Sequence, residues 1–261
     1  MSGRYFVESA ITAERVSLTG SEAHHLARVM RASPGTEVVL FDGSGDEFSA
    51  RVTSVGRSTV DLQIVQRQPV DRELPISIHL GVPLPKGDRQ RWLIEKCVEL
   101  GVRRVVPLKT VRGVAQPVQQ ALVRLRRSVI EASKQCGRNR LMEIVEPCPL
   151  SEFLITAPAT AARFVAHPHG SARLIPRDDL LAPFHAGAAA VGKQAPGAGS
   201  PVDPERVDLY LAVGPEGGFT EEEIGVVDGA AWQVIRFGAR TLRIETAAIA
   251  LVSLFAMLSE T

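Results

Sequence analysis

The stretch VDLYLAVGPEGGFTEEEI (207–224) decides the fold. Its apolar run, Val207 to Val213, reads as a buried strand. The run stops at Gly214, and Thr220 with Glu223 three residues on makes a capping box that opens a helix. A strand passing through glycines straight into a helix is half of a βαβ unit. The GPEGG segment then sits at the strand's C-terminal edge, where open α/β sheets bind ligands. Glycines there let a ligand approach the backbone and leave its N–H and C=O groups free to bond it. An ordinary glycine-rich turn accounts for the same residues.

Outward from this stretch the same rhythm repeats. Ile76 to Val82, Val102 to Leu108, the region of Ile144, Arg163 to Ala166 and Trp232 to Phe237 read as strands. Asp88 can cap a helix with Leu93, Ile94, Cys97 and Val98 on one stripe, ended by Gly101. A second helix carries Leu122, Leu125, Val129 and Cys136 on one face and stops at Gly137. Alternating strands and helices predict a mostly parallel sheet covered by helices. The last helix, Thr246 to Leu258, has almost no polar face, so it is expected to be buried on all sides. An internal core position and a second subunit are equally good sources of that cover.

The first seventy residues have a different texture. Short β-branched runs (15–18, 37–41, 48–55, 59–65) are punctuated by Pro34-Gly35 and the turn 42–45, with one helix over 21–30. This pattern suggests a small β-barrel. The polar, proline-bracketed 67–75 reads as a linker, so domains are expected at 1–72 and 73–261. Residues 186–206, rich in Ala, Gly and Pro, read as a surface loop. Within it, Ala198 stands where a phosphate loop would need its lysine.

Composition bounds the function. A net charge of +1 excludes a strongly basic nucleic-acid packaging protein but not a local basic face. Three scattered cysteines offer no zinc spacing and read as reduced thiols. MSGRYFVES lacks the apolar run of a signal peptide, and no apolar stretch is long enough to span a bilayer. A soluble, cytoplasmic protein without metal is the expectation.

Three segments carry more polar groups than packing needs. One is GPEGG. The second, FGARTLRIET (237–246), places Arg240, Arg243, Glu245 and Thr246 between two apolar elements, a costly set unless paired or exposed to a ligand. Thr246 as a helix cap, and Arg243 paired with Glu245, are the simpler readings. The third is the second long helix and its end, with Arg124, Arg126, Arg127, Lys134, Arg138 and Arg140 against Glu131 alone. This is the footprint of phosphate binding, or else a solvated helix face. Gln135 and Asn139 add base-contacting groups. His24 and His25 point apart and form no metal pair. His167 and His169 follow a strand in a loop suited to lining a ligand.

Five blocks together, HHLARVMRASPGTEVVLFDG (24–43), RWLIEKCVELGV (91–102), KQCGRNR (134–140), LAVGPEGGFTEEEI (211–224) and FGARTLRIETAA (237–248), resemble the RsmE family of 16S ribosomal RNA uridine-N3 methyltransferases. The resemblance covers nearly the whole chain. It implies a PUA-like β-barrel, an α/β SPOUT domain with a C-terminal trefoil knot, a homodimer, and S-adenosyl-L-methionine as methyl donor for a uridine of the small ribosomal subunit. Carried onto this chain, it implies that His167, Pro168, Gly214, Pro215, Glu216, Gly217, Gly218, Phe237, Gly238, Arg240, Leu242 and Thr246 hold the cofactor. Two departures stand out. The loop 186–206 is longer than the family needs and is expected to be dispensable. FGAR also replaces the LGPR of many relatives, a conservative change in a backbone-lined pocket.

Uridine N3 is a poor nucleophile until its proton leaves. Arg243 is expected to stabilise the charge developing on the uracil or to orient the base. Glu216 and Glu245 are candidate proton acceptors or partners that position arginines. Arg28, Arg31, Arg126, Arg127, Arg138, Asn139 and Arg140 are expected on the RNA. A ribose 2′-O-methyltransferase and a non-catalytic RNA-binding assembly factor are the alternatives.

Overall fold

The computed structural model describes residues 3–113, 119–167, 206–230 and 232–260. Contacts divide the chain into two units. One comprises residues up to Glu73 together with Ile130–Leu141, the other Leu74–Val129 together with Met142 onward.

The first unit is a five-stranded sheet in the order β1-β3-β4-β5-β2. Its strands are β1 (Arg4–Phe6), β2 (Arg15–Leu18), β3 (Glu37–Phe41), β4 (Asp46–Val55) and β5 (Val60–Pro69). Register shifts at Ser49/Ala50 and Val52/Ser54 put extra residues into the long β4–β5 ladder, and such bulges increase twist and bend. The result is the PUA-like sheet expected from the many short strands, curled as a half-barrel. Alternation along β4 turns Phe48, Ala50 and Val52 into a core with Tyr5, Leu26, Leu40 and Leu62. The expected 21–30 helix is α1 (Gly20–His24) followed by a π-turn (His25–Val29). Arg31, shortly after it, takes the left-handed conformation at φ 51.

Residues 130–141 belong to this unit because their polar groups are spent on it. Arg138 makes a two-bond fork to Glu73, at 2.7 and 2.5 Å. Asn139 Oδ1 accepts from Arg4 at 2.6 Å, while its Nδ2 donates to the Val70 carbonyl. Glu47 receives both Arg4 and Arg72 at 2.8 Å. Burial alone would raise the Glu47 carboxyl, but the two arginines outweigh it and hold the group below the usual carboxylate range.

The second unit is a parallel sheet in the order β12-β10-β11-β6-β7-β8, with β9 (Cys148–Pro149) paired to β7. Its other strands are β6 (Ile76–Val82), β7 (Arg104–Lys109), β8 (Glu143–Ile144), β10 (Ala162–Ala166), β11 (Val207–Val213) and β12 (Gln233–Ile235). Every residue of β6 is buried, as a central parallel strand requires. The helices are α2 (Asp88–Glu99), α3 (Gln119–Cys136), α4 (Leu150–Thr156), α5 (Glu221–Gly229) and α6 (Ile244–Ser259). α3 runs from this unit into the first. This is the helix-covered parallel sheet of the SPOUT class. The knot that the resemblance implies depends on the connection between β10 and β11, where residues 168–205 lie outside the described residues, as does most of the loop 186–206.

Several local expectations change. Asp88 is the first residue of α2, not its cap; Gly87 caps it by backbone geometry alone. α6 begins two residues before Thr246, with Arg243 at the cap position, so Thr246 caps nothing and is exposed. Among the described residues α6 buries a face with Ala248, Leu251, Val252 and Phe255, while Met257 is 71% exposed. Cys97 is wholly buried, and burial pushes its thiol up to about 12, so it packs as an inert hydrophobe. No described helix is long and apolar enough to cross a membrane.

Candidate active site

The register of three parallel strands builds the site. Ala166 of β10 pairs with Val213 of β11 and with Ile235 of β12, so all three strands end at one level. His167, Gly214 and Arg236 therefore leave the sheet side by side, and the His167 amide stays tied to the Ile235 carbonyl at 2.9 Å. Between them lies a partly open cleft with about 440 Å³ of space, the solvent at its mouth included. Its floor is apolar, from Ala166, Val213 and Ile235. The 214–216 segment and the Phe237-to-Leu242 loop form its walls, and Ala247 of α6 closes one end.

Local bonds fix the GPEGG loop. The Gly218 amide, in a φ +70 turn only glycine adopts readily, donates to the Pro215 carbonyl at 2.8 Å. Thr220 and Glu223 complete the capping box of α5 at 3.2 and 2.9 Å. The other Glu223 oxygen accepts the Val111 amide at 3.1 Å, and Arg112 donates to the Gly217 carbonyl at 2.7 Å. The Phe219 ring lies near-parallel to the His167 ring, with centroids 6.1 Å apart. It also presses on Gly214, where an added Cβ would stand 3.1 Å from it.

Of the residues singled out in the sequence, His167, Gly214, Pro215, Glu216, Phe237, Arg240 and Leu242 line this cleft. Gly217 and Gly218 shape its loop without lining it, Gly238 makes a φ +66 turn, and Thr246 lies outside the lining. Pro168 falls outside the described residues. Arg243 is exposed at the start of α6 and does not pair with Glu245. Glu245 is buried and pairs instead with Arg89 of α2 at 3.2 Å. That arginine also lies 3.7 Å from Glu216. Sequence reasoning missed Arg89, Arg112 and Arg236, while Thr241 lies in the 237–246 segment it singled out. Arg236 was read as part of the last strand, which ends one residue earlier, at Ile235.

The basic residues divide. Arg28, Arg31, Arg127 and Arg140 are exposed. Arg126 donates to the Ile144 carbonyl at 3.0 Å and pairs with Glu146 at 3.2 Å. Arg138 and Asn139 are only 4% and 2% exposed and are engaged inside the first unit, so they present nothing to an outside ligand.

A glycine-walled cleft at the strand ends of a parallel sheet is the small-molecule site of an α/β protein. The RNA methyltransferase domain model matches residues 72–256, and the RNA methyltransferase PUA domain model matches 18–65. The chain is 30% identical to the ribosomal RNA small subunit methyltransferase E of Synechocystis sp. over 93% of its own length and 73% of that protein. It superposes with a TM-score of 0.81 on the S-adenosyl methionine-bound enzyme of that name from Neisseria gonorrhoeae, at 25% identity and 99% and 98% coverage. A methyltransferase of Legionella pneumophila with bound SAM aligns at a TM-score of 0.79 and 28% identity over 98% of each chain. The chain belongs to the ribosomal RNA small subunit methyltransferase E family.

Proposed function

We propose that the cleft binds S-adenosylmethionine and that the enzyme methylates N3 of a uridine in the 16S RNA of the small ribosomal subunit. The observation that carries this is the common end level of β10, β11 and β12, which sets the glycine loop and the 236–243 loop around one cleft. The residues fit that cofactor. The apolar floor and the neighbouring Leu242 suit an adenine face, the loop backbones offer hydrogen-bonding groups, and His167, Glu216, Arg236 and Arg240 supply the polar rim. Bound there, the sulfonium supplies an activated methyl group and needs no metal.

The chain's own residues then have the base to prepare. Arg243 stands free at the N-terminus of α6, where the helix dipole adds positive potential. From there it stabilises the negative charge that spreads onto a uracil oxygen as N3 loses its proton. Glu216, half-buried on the cleft lining, takes that proton; Glu245 is shut away beside Arg89 and serves to position it. Arg28, Arg31, Arg127 and Arg140 hold the RNA backbone, and Arg126, Arg138 and Asn139 hold the fold. The half-exposed Ile249, Leu254 and Leu258 beside exposed Met257 give α6 an apolar face that a second copy of the chain covers. A ribosomal substrate places the enzyme in the cytoplasm.

Arg243→Ala tests the assignment. Its side chain is exposed, so urea unfolding and cofactor affinity are expected to stay at wild-type values while the methylation rate falls about 100-fold or more, the loss typical of one transition-state donor. A mutant that methylates at the wild-type rate would remove Arg243 from the mechanism.

A further inference from the structure

Arg89, the second residue of α2, is assigned no step above, yet it lies beside one carboxylate of the GPEGG loop and one of the first turn of α6. Its Nη1 lies 3.2 Å from Oε1 of Glu245 and 3.7 Å from Oε1 of Glu216. Glu216 belongs to the GPEGG wall. Glu245 belongs to the first turn of α6, two residues before Ala247 at the cleft end. The Glu245 side chain is only 9% exposed, and its second oxygen, Oε2, is buried with no hydrogen-bond partner. A buried carboxylate with one oxygen unmatched persists only beside a cation, and Arg89 supplies it. The cap of α2 lies two residues earlier at Gly87, whose φ 67 and ψ −146 are tolerated by glycine almost alone. A Cβ there would meet nothing within 4 Å, so the glycine is present for its backbone angles and not for space.

We infer that Arg89 is a positioning residue for methyl transfer. By holding Glu245 and Glu216 to one cation it ties the first turn of α6 to the GPEGG loop and keeps the cleft in its cofactor-binding shape. This rests on the reading of the cleft as the S-adenosylmethionine site. One nitrogen serves both carboxylates, so the tie needs a charge at that point and not the guanidinium fork. Lysine is therefore expected to replace Arg89 where alanine does not.

The test uses the full chain in three measurements: calorimetric titration with S-adenosylmethionine, methylation of small-subunit RNA, and urea unfolding without cofactor. Arg89→Ala is expected to weaken cofactor binding at least about tenfold and to lower kcat at saturating cofactor, with Arg89→Lys within about threefold of wild type. In unfolding, the midpoint lost on Arg89→Ala should largely return when Glu245→Gln is added, because no buried charge is then left alone. Unchanged affinity and kcat in Arg89→Ala, a lysine variant no better than alanine, or equal midpoint losses in both Glu245 backgrounds would each overturn the inference. If Arg89→Ala does not fold, the lysine variant and the double variant carry the same comparison. A wild-type chain that binds no cofactor would refute the reading of the cleft, while the unfolding comparison would still decide the tie.

Discussion

Arg138→Ala is expected to lower the unfolding free energy by about 3–5 kcal/mol, a large fraction of the stability of a domain this size. Arg138 and Glu73 expose only 5% and 8% of their side chains. They meet through two parallel bonds, Nε to Oε1 and Nη2 to Oε2. Truncation removes both and strands the Glu73 carboxylate away from water. The desolvation of that lone charge, more than the lost attraction, makes the effect large. Arg138→Lys keeps the charge but cannot make the fork, so a smaller loss is expected. Urea unfolding of the full chain reads both values. A loss under about 1 kcal/mol would mean that the pair is as weak as an exposed one.

Gly214→Val is expected to weaken S-adenosylmethionine binding about 100-fold, close to 2.7 kcal/mol. Gly214 is buried on the cleft lining, and even a single Cβ would stand 3.1 Å from the Phe219 ring. Valine's two further carbons must displace that ring, which packs beside His167 on the same cleft, or enter the cleft themselves. Gly217→Val is the contrasting change. Gly217 is exposed, and its added Cβ meets only the flexible Arg112 side chain, at 3.3 Å. A much smaller loss is expected there. Calorimetry on the two variants separates a crowded lining from a disturbed loop; equal affinities would mean that the ring does not matter.

The sheet was legible because its strands announce themselves. Ile76–Val82 and Val207–Val213 are unbroken apolar runs, and the Thr220–Glu223 cap marks its helix without ambiguity. The cleft was legible for a related reason, since glycines directly after a buried strand mark the ligand-binding edge. Partners distant in sequence were not. Arg138 and Asn139 looked like nucleic-acid contacts because Glu73, Glu47 and Val70, some 65 to 92 positions away, could not be seen to receive them. Arg89 and Glu245 are 156 positions apart, and nothing local in either segment signals the pair. The three-residue β1 strand carries too little pattern to read alone; it exists because Arg4–Phe6 finds an edge of β3 to pair with. Thr246 matched a cap by residue type. The helix instead starts at Ile244, burying that side chain and Glu245 in its first turn.

The measurement that bears most directly on the central claim is mass spectrometry of nucleosides from small-subunit RNA incubated with the enzyme and S-adenosylmethionine. The expected product is N3-methyluridine, formed with the wild type and lost with Arg243→Ala. A ribose 2′-O-methylated nucleoside, or no methylated nucleoside at all, would contradict the account.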